Sequence, residues 1–113
     1  PLISDELIER VLAPLSEGWD GVVPGLAVVD TLKRVRVDAI VETVDRTGLY
    51  AAQTPQAFLA SVLRSAYAAE SGAATDCAAL VEAMGGRVTI VEGDPRLVKV
   101  TTKADLDLVA SWL

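Results

Sequence analysis

The 113-residue sequence has no histidine and a single cysteine, Cys77. Those two scarcities exclude disulfide frameworks, Cys/His zinc sites, Ser-His-Asp triads and Cys-His pairs, and with them most hydrolase chemistry. Positive charge is also scarce: 10 Lys and Arg stand against 16 Asp and Glu, for a net charge of -6. Affinity for a phosphate backbone comes from clustered Lys and Arg, so a nucleic-acid surface is not expected, whereas a small anionic substrate remains open. No apolar run approaches the ~20 residues that cross a bilayer, and the first residues lack a charged-then-apolar signal pattern. A soluble cytoplasmic protein without a membrane partner is expected. With one Phe and two Tyr in a sequence that is 51% hydrophobic, the core must be Val, Leu, Ala and Ile, an α/β composition in one domain at most. A Gly-rich phosphate loop is missing as well, because Gly85-Gly86 follows a helical pattern and has the wrong context for one.

What is present unfolds in an ordered series. Ser4 precedes Asp5 and Glu6, and Leu7, Ile8, Val11, Leu12 and Leu15 recur at helical spacing, which predicts a helix over residues 5 to 17 with Pro14 in its last turn. Gly21 to Val29 is apolar on both faces, as in a strand buried in a largely parallel sheet, with a bend or bulge expected at Pro24-Gly25. Residues 31 to 44 mix charged and β-branched residues and predict a two-stranded ribbon turning near Val37 to Ala39. Lys33, Arg34 and Arg36 form its solvated face. A ribbon of this kind is marginal alone and has open edges, so a partner subunit or the remainder of the same chain must cover it.

A helix beginning at Thr54 is expected to bury Phe58, Leu59, Val62, Leu63, Ala66 and Tyr67, with Thr54 as N-cap and Pro55 as first helical residue. Thr75-Asp76 opens another helix that ends at Gly85-Gly86, with Cys77 and Met84 in the core. Arg87 to Val91 alternates as a strand, Glu92 to Pro95 turns, and Leu97 to Val100 returns as a short extended piece carrying Lys99. Thr102 and Asp105 frame a capping box for a last helix running to Leu113.

The residues able to carry chemistry gather around 45 to 58. Arg46 offers a planar five-donor fork suited to an anionic oxygen, and Gly48 permits a positive φ. Neither a turn nor a cap accounts for Arg46, Gln53 or Gln56. Together with Thr31, Thr54, Thr75, Asp76 and Lys99, these polar groups fall at strand ends and helix starts, where an open α/β sheet binds its ligand. Helix N-termini at Thr54 and Thr75 beside Arg46 and Lys99 would suit phosphate, although for each threonine alone the cap reading is favoured. Asp94 before Pro95 reads as a turn residue.

Five segments in order carry a family resemblance: Asp30-Thr31-Leu32-Lys33; Thr43 to Tyr50; Gln53-Thr54-Pro55-Gln56-Ala57-Phe58; Thr75-Asp76; and Val91 to Pro95 with Lys99-Val100-Thr101-Thr102. Together they closely resemble the C-terminal half of the 2-C-methyl-D-erythritol 4-phosphate cytidylyltransferases. The resemblance implies a Rossmann-like nucleotidyltransferase sheet, residues 1–113 being the C-terminal part of a single domain, with a projecting β-arm at about 31–52 through which a homodimer clasps. It implies that CTP and methylerythritol phosphate are joined to a CDP-alcohol with release of pyrophosphate, in the non-mevalonate route to isoprenoids, with Mg²⁺. By motif position Thr31, Arg46, Thr54, Thr75 and Lys99 would hold the sugar phosphate, with Lys99 also catalytic. Arg46 is expected to act across the dimer. Pro1 resembles the residue that follows the family's His-Asp-Ala-Ala-Arg motif. The family's CTP loop, catalytic Arg and Lys and most Mg²⁺ ligands would therefore lie outside these residues, and the 113 residues alone are expected to be inactive. A ribitol 5-phosphate cytidylyltransferase, which shares the Thr-Pro-Gln, Thr-Asp and Lys motifs, and a non-catalytic dimerisation and ligand-binding module are the alternative readings.

Overall fold

The computed structural model describes residues 2–69 and 77–113. Its centre is strand β1 (Gly21–Ala27), whose first five residues are all buried. One edge of β1 pairs with β6 (Val88–Glu92) in parallel, and the other pairs antiparallel with β5 (Ala57–Phe58) at Gly21–Val22 and with β4 (Tyr50–Ala52) at Gly25–Ala27. The sheet is therefore mixed, where the sequence pattern suggested a largely parallel one. Burial on both faces makes a strand uniformly apolar whatever the direction of its neighbours, so the pattern cannot report direction.

Pro24 sits inside β1 without the expected bend or bulge. In a strand the N–H and C=O of one residue point to the same edge, and the Pro24 carbonyl accepts from Gln53 N at 2.7 Å. The donor that proline lacks thus faces the gap between β4 and β5, where no ladder rung is lost.

Side chains alternate across β1 and divide the core into two. Val22, 0% exposed, forms one buried cluster with Leu7 and Val11 of α1 (Asp5–Leu12), and Ala57, Val91 and Leu97 pack against that cluster. On the opposite face Phe58 and Val88 pack with Ala66 of α2 (Ala60–Ala68) and Leu80 and Val81 of α3 (Cys77–Ala83). Each fully buried Leu or Val among these contributes about 1.5–3 kcal/mol of transfer free energy. Gly21 is glycine for this reason: a Cβ there would come within 2.6 Å of the Phe58 ring.

Several boundaries differ from expectation. Ser4 caps α1, its Oγ accepting from Leu7 N at 3.1 Å, but the helix ends at Leu12 and continues as a 3-10 turn over Ala13–Glu17, because Pro14 has no N–H to donate into an α-helical ladder. The helix expected from Thr54 starts only at Ala60, with Leu59 at the N-cap position and no side-chain cap. Ala57 and Phe58 are taken up as ladder partners of β1, so tertiary pairing overrides the local Thr-Pro cap signal, and the Thr54–Pro55 peptide is cis. Met84, expected in the core, is 44% exposed because it lies beyond the end of α3, in the turn that Gly85 (φ 85) completes. The start expected at Thr75-Asp76 lies outside the described residues.

The ribbon forms as a hairpin of β2 (Leu32–Arg36) and β3 (Ala39–Val44), closed by Val37 and Asp38. Lys33 Nζ donates to Thr43 Oγ1 at 2.7 Å, and Arg34 pairs with Glu42 across the strands. The hairpin is a separate two-stranded sheet. It is shorter than the expected 31–52, because residues 50–52 have already returned to the main sheet as β4. Past β6, the short extended piece expected at Leu97–Val100 joins no ladder, and α4 (Lys103–Ala110) ends before Leu113.

Candidate functional site

The break between β4 and β5 opens a cleft of about 610 Å³. One wall is Ala52, Gln53, Thr54 and Gln56, and the other is Leu97, Val98, Lys99 and Val100, with Ile3 also in the lining. The first wall turns out of the sheet because Pro24 offers no donor there. Gln53 N is the last main-chain group tied to β1 before the cis Thr54–Pro55 bond, and Gln56 Nε2 donates back to Gln53 O at 3.3 Å.

The second wall has no ladder and is pinned at its two ends. Upstream, Asp94 Oδ1 accepts from Arg96 N at 2.8 Å, its carbonyl accepts from Leu97 N at 2.9 Å, and its own main chain is held by the Gln53 side chain. Downstream, Asp105 Oδ2 accepts from Thr101 N (3.1 Å), Thr101 Oγ1 (3.0 Å) and Thr102 N (3.0 Å), while Thr102 Oγ1 accepts from Asp105 N at 3.1 Å. This is the expected capping box, with Asp in the place of Glu. The hydrogen bonds from Thr101, the main-chain one first, and from Thr102 hold the Asp105 carboxyl below its usual 3.8. Lys99 lies exposed between the two pins, and Lys99 and Thr54 both line the cleft.

Thr31 and Arg46 are not in the cleft lining. Both lie where the ribbon leaves the main sheet, and Arg46 Nη1 donates to Val29 O at 2.5 Å. Asp45 Oδ1 accepts from Thr47 N at 2.9 Å, a main-chain bond that also lowers the Asp45 pKa, and Leu49 N closes the turn on Arg46 O at 3.0 Å with Gly48 at φ 77. Thr75 lies outside the described residues. The helix N-terminus expected at Thr54 is absent, so Thr54 offers the cleft its hydroxyl and not a helix dipole. The sequence reading missed the apolar lining by Ile3, Val98 and Val100. It also read Asp94 as a turn residue only; the unexplained Gln53 was the available signal of a longer-range contact.

The sequence profile of the 2-C-methyl-D-erythritol 4-phosphate cytidylyltransferases (IspD) matches residues 1–113. The chain belongs to the IspD family. It is 49% identical over 108 residues to the 2-C-methyl-D-erythritol 4-phosphate cytidylyltransferase of Rhodococcus opacus, covering 95% of this chain and 48% of that protein. It is 47% identical over 108 residues to the bifunctional IspD/IspF enzyme of Rhodospirillum rubrum, covering 95% of the chain and 28% of that longer protein. Among solved structures, the crystal structure of the Thermus thermophilus IspD cytidylyltransferase superimposes with a TM-score of 0.88 at 36% identity, covering 99% of this chain and 56% of that one. The chain thus spans about half the length of the single-function relatives, and its α/β fold is that of IspD.

Proposed function

We propose that the protein containing this chain transfers a cytidylyl group from CTP to 2-C-methyl-D-erythritol 4-phosphate, and that the chain supplies the side of the site that takes the alcohol phosphate. The observation that carries this reading is the convergence of Thr54 and Lys99 on one cleft in a chain that matches the IspD family from end to end. In the reaction an oxygen of the sugar phosphate attacks the α-phosphorus of CTP. A P–O bond forms to that oxygen, the bond to the β-phosphate breaks, and pyrophosphate leaves with the electron pair. Neither a covalent protein intermediate nor a histidine base is required. Catalysis is positioning plus stabilisation of charge on the transferring phosphoryl oxygens. Thr54 donates to the sugar phosphate, and Lys99 brings a full positive charge to the same space.

Thr31, Arg46 and Thr75 complete the phosphate contacts in this proposal, Arg46 by reaching a second copy of the chain through paired ribbons. Its position outside the cleft of its own chain supports that assignment. Mg²⁺ would neutralise the triphosphate. Among the described residues no three of His, Cys, Asp and Glu cluster so as to hold a metal. Among them, too, no helix is long and apolar enough to cross a membrane. Both substrates are multiply charged anions that do not cross bilayers, so the reaction is proposed to be cytoplasmic.

The test is pyrophosphate release by the full polypeptide in which these residues are encoded, supplied with CTP and methylerythritol phosphate. Release with this pair, and little with ribitol 5-phosphate, is expected. Equal or greater release with ribitol 5-phosphate would replace the substrate assignment, and none with either would overturn the reading. The 113 residues alone are expected to stay at background, since no phosphate loop for CTP lies among them.

A further inference from the structure

Within the upstream pin, a single side chain ties the Lys99 wall to the opposite wall of the cleft. Gln53 Nε2 donates to Asp94 O at 2.9 Å and Gln53 Oε1 accepts from Asp94 N at 3.1 Å, the same donor and acceptor pair that a residue on an adjoining strand would present. The main chains that carry it are already tied to opposite edges of β1: Gln53 N donates to Pro24 O at 2.7 Å and Gly93 N to Gly25 O at 2.9 Å. The amide therefore completes a bridge between the strands that flank β1. Gly93 makes room for it. That residue is buried, and a Cβ built on it would lie 2.0 Å from Gln53 Oε1.

We infer that Gln53 is a positioning residue that sets the separation between Thr54, its neighbour in the chain, and Lys99, on the segment that Asp94 begins. The inference rests on the proposal that an alcohol phosphate lies between these two walls. Both polar atoms of the amide are engaged with Asp94, so its effect on that ligand is exerted through the wall. The wall from Leu97 to Val100 has no ladder to hold it if the amide is lost. A widened cleft weakens the hold on the alcohol phosphate more than the hold on CTP, whose Gly-rich phosphate loop is not among these residues.

The full polypeptide carrying Gln53→Met tests this, because methionine keeps the length of the side chain and removes both hydrogen bonds. The KM for methylerythritol phosphate should rise about tenfold, the effect of two neutral hydrogen bonds of ordinary strength, while the KM for CTP stays within about twofold. Gly93→Ala, whose Cβ displaces the amide from the other side, should give the same selective rise, and the double variant no further one, since both changes remove the same contact. An unchanged KM for methylerythritol phosphate, an equal rise for both substrates, or additive effects would each overturn the assignment. If the unaltered protein does not turn over this substrate pair, the functional reading fails separately, and amide hydrogen exchange decides the position of the wall. Faster exchange confined to residues 94–100 in Gln53→Met, with Val88–Glu92 unchanged, supports the clamp; uniform or absent change overturns it.

Discussion

At the scale of single residues, charge and geometry divide the work of the cleft. Lys99 is a flexible point charge on a wall without ladder bonds, and in the proposed reaction its value would be greatest where negative charge develops during transfer and not where it already rests on the substrate. Lys99→Ala in the full polypeptide should therefore lower kcat about 100-fold, or ~3 kcal/mol of transition-state stabilisation, with a smaller change in KM. A raised KM at unchanged kcat would make Lys99 a simple binding residue. Lys99 was singled out in the sequence as a lysine between valines and Thr54 through its place in the Thr-Pro-Gln motif, although a local cap rule also accounted for Thr54; that both line one cleft is what the structure adds. The role of Gln53 was legible only as a residue left over by every local rule. Its partner is a main-chain group 41 positions away, and no spacing rule reaches that far.

At the scale of elements, the capping box of α4 does more than start a helix. By holding Thr101 and Thr102, Asp105 fixes the downstream end of the wall that carries Lys99. Its carboxyl is depressed below 3.8 by the bonds from Thr101 and Thr102. A group whose folded pKa lies below its unfolded value stabilises above the unfolded value and loses that contribution as pH falls through the folded one. Asp105→Ala should accordingly lower the thermal midpoint at pH 7, and the gap from the unaltered protein should close as pH falls below about 3.8. A gap that persists at lower pH would mean that Asp105 acts through packing and not through its charge. This cap was readable because a capping box is local. The start of α2 was misread by the same kind of rule, since Thr54-Pro55 is an equally good local cap and was overridden by pairing of Ala57 and Phe58 with β1.

For the whole molecule the open question is what the β2–β3 ribbon meets. It projects as its own sheet with Val35, Val37, Ile40 and Val41 exposed, and Arg46 stands at its base outside the cleft lining. If paired ribbons carry Arg46 into the neighbouring copy's site while Lys99 serves its own, mixing full-length Arg46→Ala subunits with Lys99→Ala subunits places both defects in one site. The other site stays intact, and mixed dimers should recover up to half the normal activity. No recovery, with dimerisation confirmed, would keep Arg46 in its own subunit. The sequence alone determined the family, the α/β class, the hairpin and its turn, and the chemistry available without histidine, because these depend on residue type, local periodicity and the order of motifs. Only the tertiary structure decided that the sheet is mixed, that α2 starts at Ala60, and that Thr54 and Lys99 share a cleft. Strand direction, the competition between a local cap and a distant ladder, and the meeting of two loops across β1 are all set by contacts between residues far apart in the chain.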